Sequence, residues 1–153
     1  MYIYQDDMPF MNRTIIKDIK NLKENDNVNN DVMADIKKFI DDLFNSKFLL
    51  AMLSRSSTQT EEAFSPYLIN SDFGYILPIF TSKIEILREQ DMFDDFTIYV
   101  DHFSNILLMY KALVDRVNGN LYISIDPFGH NYILDKEMID DAIDIIADKL
   151  EKQ

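Results

Sequence analysis

Apolar positions recur along this chain with two different periods, and the switches between them predict its elements. From Phe10 to Leu22, the residues Ile15, Ile16, Ile19 and Leu22 fall at helical spacing. The run KENDNVNND, Lys23 to Asp31, is polar and rich in Asn and Asp, which predicts an exposed linker. Asp31 is placed to N-cap a second helix with the apolar stripe Val32, Ile36, Phe39, Ile40 and Leu43, ending near Asn45. KFLLAMLS, Lys47 to Ser54, is almost continuously apolar and predicts a strand, and RSSTQTEE, Arg55 to Glu62, predicts a loop. The turn residues Ser71, Asp72 and Gly74 introduce a second strand, YILPIFTS, from Tyr75 to Ser82. Ser82 and Glu85 have the spacing of a capping box for a short helix. FTIYV, Phe96 to Val100, is β-branched and aromatic, hence a strand. Asp101 then caps a helix facing inward with Phe103, Ile106, Leu107, Tyr110, Leu113 and Val114. After the turn Asn118 to Asn120, LYISID and NYIL flank Pro127-Phe128-Gly129-His130 as a hairpin-like pair. Asp135 opens a closing helix with Met138, Ile139, Ala142, Ile143, Ile146 and Leu150, expected to bury Ile139, Ile143 and Ile146 against the sheet.

Helices and strands mixed in this order predict an α+β fold, a single domain with a mixed sheet and helices packed against it. Residues 1–30 form the N-terminal helix and polar linker of this scheme, and residues 31–153 the α+β domain proper. Two stretches carry unusual chemistry for their elements. Pro78 has no N–H to give a ladder, which predicts an edge strand or a bulge. Asp126-Pro127 initiates a turn in which Gly129 supplies a permissive backbone.

The same two stretches carry a resemblance. Leu77, Pro78, Phe80, Thr81 and Ser82, with Pro127, Phe128 and Gly129 before a hydrophobic strand and final helix, resemble the N-terminal domain of the SseB (enhanced serine sensitivity protein B) family. Asp126 stands where that family often has Asn. The likeness spans Gly74 to Leu150, and KFLLAML extends it upstream. It implies a small α+β fold and a binding or regulatory role, linked in the family to a sulfurtransferase-associated serine-sensitivity trait. Related domains are also associated with toxin immunity. It implies no catalytic residues.

Composition narrows the choice of partner. The chain has 153 residues, 47% of them hydrophobic, enough to build one core. No apolar run approaches the roughly 18 residues of a membrane span, and Met1 to Phe10 has no secretory pattern. Without cysteine there is neither a disulfide nor a zinc–thiolate site, which fits a cytoplasmic setting. Twenty-seven acidic residues against 15 basic ones give a formal charge of −12. That surface disfavours nucleic acid, whose phosphates need clustered Lys and Arg; it fits a solvated, soluble surface first, and otherwise a basic protein partner. Asp140, Asp144 and Asp148 share one face of the last helix and are the candidate partner-binding residues.

Catalytic chemistry is sparse. The two histidines are His102, at a helix start, and His130, in a turn near Asp126. The latter pair is the candidate for general-base chemistry, without a neighbouring Ser or Cys nucleophile motif. Asp91, Asp94 and Asp95 supply oxygens for a divalent ion but lack the spacing of a calcium loop, and read as a solvated acidic segment. With three glycines in the chain there is no phosphate-binding loop, so no cofactor or metal is expected. The sequence thus points to a non-catalytic binding or regulatory domain resembling SseB. The alternatives are a toxin-immunity protein and an enzyme centred on His130 and Asp126.

Overall fold

The computed structural model describes residues 2–5, 10–24, 32–53, 65–93 and 96–151. A short strand β1 (Tyr2–Ile3) precedes helix α1 (Arg13–Glu24), which starts where Asn12 Oδ1 accepts the Ile15 N–H at 3.1 Å. Its Ile15 and Ile19 lie in the main core beside Phe39, Ile40 and Leu43 of α2 (Val32–Phe44). Lys38 Nζ ties the two helices together, 2.9 Å from Asp18 Oδ1 and 2.7 Å from Asp42 Oδ2. Strand β2 (Lys47–Leu53) follows and buries Phe48 to Met52 without a break, as a strand covered on both faces should.

Hairpin β3 (Ile69–Ser71) and β4 (Gly74–Ile79) leads into α3 (Lys83–Leu87) and a 3₁₀ turn at Gln90–Phe93. Then come β5 (Phe96–His102), α4 (Phe103–Val114), the hairpin β6 (Leu121–Ile125) and β7 (Tyr132–Leu134), and α5 (Lys136–Glu151). The strands form an antiparallel sheet of order β1-β5-β2 and a mixed sheet of order β3-β4-β6-β7, in which β4 and β6 run parallel. That parallel pair needs a long crossover, supplied by α3, β5 and α4. The sheets meet where Leu49 and Phe80 exchange both backbone hydrogen bonds, at 2.9 and 2.8 Å. The expected α+β class therefore holds.

Pro78 shows how a proline survives inside a sheet. Strand β4 is interior, not an edge, and Pro78 pairs in regular register with Ser124. The Tyr75 N–H donates to Asn120 O and Ile79 O accepts from the Asp126 N–H, so Tyr75, Leu77 and Ile79 point their bonding groups at β6. Pro78 lies between them with its nitrogen turned the other way. On that side β3 has already ended opposite Ile76, and the contact with β2 begins only at Phe80. The missing N–H falls in the gap.

Other expectations need correction. Ser71 is the end of strand β3, not only a turn. Ser82 occupies the N-cap of α3 without a side-chain cap bond: the Glu85 N–H donates to the Ser82 carbonyl at 3.2 Å, and the Glu85 carboxylate is engaged with Arg88 at 2.8 Å. Strand β5 runs on to His102, so Asp101 is a strand residue; its Oδ1 accepts from the His102 N–H and from Asn105 Nδ2, each at 2.8 Å. Helix α5 packs against α2 and α4, and its Ile139 and Ala142 share the main core with Leu77 and Ile123 of the sheet. Of its isoleucines Ile139 is fully buried, while Ile143 and Ile146 are only partly so. The Asp31 cap, the loop Arg55 to Glu62, Asp94 and Asp95 lie outside the described residues.

Candidate functional site

Parallel pairing of β4 with β6 brings the two unusual stretches of sequence together at the ends of those strands. Asp126, just past β6, is buried and adopts φ 52°. Its carboxylate clamps Thr81, just past β4: the Thr81 N–H donates to Oδ1 at 2.9 Å and the Thr81 hydroxyl to Oδ2 at 2.6 Å. The Gly129 and Asn131 N–H groups donate to the Asp126 carbonyl, closing the turn. Burial pushes the Asp126 carboxyl above its ordinary value, and the two bonds from Thr81 oppose that shift. Phe128 packs against both Phe80 and Phe93, which also touch each other. Gly129 faces the Glu85–Arg88 pair so closely that a Cβ there would strike the Glu85 carboxylate.

This junction is built like a structural clasp. Both Asp126 oxygens accept from Thr81, and His130 is exposed, its carbonyl accepting a bond from Lys23 Nζ. Among the described residues no hydrogen bond joins His130 to Asp126. His102 is likewise exposed. No group of three or more His, Asp or Glu side chains among the described residues is placed to share a metal ion.

The other candidate face is α5. Its sixteen residues hold six carboxylates and two lysines, and Asp140, Asp144 and Asp148 are all exposed, as the spacing requires. They occupy one row of the helix, stacked one turn apart, next to the row that contains Ile143 and Ala147. The field of that row reaches inward. Tyr110, whose hydroxyl donates to Leu121 O at 2.9 Å, is raised first by burial and then by the Asp140 charge.

Beside the acidic row lies a groove, which the sequence pattern did not reveal. It runs between α4 and α5 with a cavity of about 400 Å³, walled by Phe44, Leu107, Leu108, Ile143, Ile146 and Ala147. Leu108 is 65% exposed, and the Lys149 ammonium sits 4.1 Å from the Phe44 ring centroid. A signal was present, however. Leu107, Leu108 and Met109 are consecutive on α4, so its apolar arc is wider than one buried face can use.

Comparison with protein-family models, with curated proteins and with solved structures found no match to the chain. Among the described residues no helix is long and apolar enough to cross a membrane.

Proposed function

We propose that this protein is a non-catalytic binding or regulatory domain, similar in kind to the SseB N-terminal domain, that presents α5 to a basic protein partner. The observation that carries the proposal is the row Asp140, Asp144 and Asp148, exposed on the helix whose Ile143, Ile146 and Ala147 wall an apolar groove. Charge of one sign beside uncovered apolar surface is the composition of a steered protein contact: the charges set encounter rate and orientation, and the apolar groups hold the complex. A toxin-immunity protein would be a special case, with a cationic toxin as the partner. Catalysis at His130 and Asp126 is the weaker alternative, because Asp126 is buried with both oxygens accepting from Thr81, and no hydrogen bond among the described residues joins it to His130.

Capture from native lysate at low salt tests the proposal. The parent protein should retain a basic protein that elutes as salt rises, and the Asp140→Asn/Asp144→Asn/Asp148→Asn variant should retain it several-fold less. Equal retention by parent and variant would remove α5 as the binding face. Turnover lost on His130→Ala in a folded protein would overturn the non-catalytic assignment.

A further inference from the structure

The groove specifies more than a generic basic partner. Helices α4 and α5 run antiparallel: Ser104 and Leu107 lie with Ile146 and Ala147 at one end, and Val114 and Asp115 lie with Lys136 and Asp140 at the other. The main cavity continues into a second, more polar depression through the shared residues Lys111 and Ile143. From Ser104 to Asp115 this trough follows α4 for about 16 Å, or about three helical turns. A trough of that length, parallel to two helix axes, matches the ridge that a third helix presents with apolar residues at i, i+3 or i+4, and i+7.

We propose that the α4–α5 groove seats one amphipathic helix of a basic partner, with its apolar side chains down in the groove and its Lys and Arg along the α5 rim. The assignment rests on the binding-domain proposal above and gives its partner a shape. One exposed leucine is ordinary on any protein surface, but six apolar residues forming one concave wall are not. The choice of occupant follows from charge. Asp140 lines the second depression on the α5 side and Asp115 on the α4 side, with Asp144, Asp148 and Glu151 continuing the exposed acidic surface of α5 toward the helix end. The cations nearby are Lys111, Lys136 and Lys149, the last held over Phe44. A second copy of this chain would bring another −12 against the first, and an anionic lipid surface would meet the same repulsion. A cationic helix meets net attraction from α5, whose six carboxylates outnumber its two lysines.

The test uses the full chain with isotope-labelled methyl groups and a synthetic amphipathic peptide: leucines at helical spacing on one face, Lys and Arg on the other. Its controls are a scrambled isomer of the same charge and a version with Glu in place of Lys and Arg. The expected result is methyl shifts concentrated on Leu107, Leu108, Ile143 and Ile146, at least tenfold weaker binding to Leu108→Asp, and little binding of either control. The Asp140→Asn/Asp144→Asn/Asp148→Asn variant should bind several-fold less tightly, with a shallower salt dependence. Methyl shifts elsewhere, equal binding of the scrambled isomer, or parent-like affinity in Leu108→Asp would overturn the groove assignment. So would self-association through these methyls, or saturable binding of the Glu version. The broader proposal fails separately: a captured basic partner retained equally by parent and Leu108→Asp sinks the groove alone, whereas no salt-dependent capture by the parent sinks both.

Discussion

At the scale of single residues, Asp126 shows why a charged side chain can belong to a core. It stands at φ 52°, a left-handed conformation that Asn and Asp tolerate better than other side chains, and it satisfies two Thr81 donors that would otherwise be buried unpaired. Its carboxyl is raised by burial. A group raised in the native state contributes stability fully below its unfolded value, near 3.8, and loses that contribution as pH climbs through the raised native value. Asp126→Asn keeps an acceptor for the Thr81 N–H and offers an amide donor to its hydroxyl, without the buried charge. Stability of the parent should therefore fall relative to Asp126→Asn as pH rises from about 4 to about 7, with the two within about 1 kcal/mol in acid. Asp126→Ala, which strands both Thr81 donors, should lose about 2–3 kcal/mol. Urea unfolding of the three proteins across that range decides the matter. Parallel curves for parent and Asp126→Asn would mean that Asp126 titrates as it does when unfolded.

At the scale of elements, local chemistry announced most of the helices and strands, and tertiary geometry decided what they face. Helix α2, strand β2 and the β6–β7 pair lie where periodicity and turn residues put them, since each depends on neighbours close in sequence. Strand β3 was missed because three residues are too few to show alternation, and only pairing with β4 makes them a strand. The proline rule pointed to an edge; the ladder instead leaves a gap on the side of the Pro78 nitrogen, a long-range fact. The candidate acidic row was legible, because i, i+4 spacing places carboxylates on one face in any helix. Its groove was not legible, since it depends on how α5 lies against α4. That position yields a second prediction. Ile139, 1% exposed, should cost about 2–5 kcal/mol on truncation to Ala, whereas Ile143, which lines the groove, should cost about 1–2 kcal/mol. Denaturation of both variants checks the ranking, and an equal, large loss would mean that the groove is closed in solution.

At the scale of the whole molecule, the −12 charge is both a means of attracting a cation and a strain on the fold. Asp144 concentrates that strain: three of its four neighbours at helical contact spacing, Asp140, Asp141 and Asp148, are acidic and exposed, the fourth being Ala147. Like charges at those spacings destabilise a helix, and salt screens them because they face water. The melting temperature of the parent should therefore rise by a few degrees as sodium chloride is raised from about 10 to about 150 mM. Asp144→Asn should melt about 2 °C higher than the parent at the low end of that range, with the difference fading at the high end. Association with the cationic amphipathic peptide should move the opposite way, slower for Asp144→Asn at low salt and equal at high salt, since exposed charge acts chiefly on the rate of encounter. Calorimetric melts and stopped-flow mixing on the same samples test both halves. If the variant melted higher while its association rate stayed that of the parent, the charge at Asp144 would be a burden on the helix with no part in steering a partner.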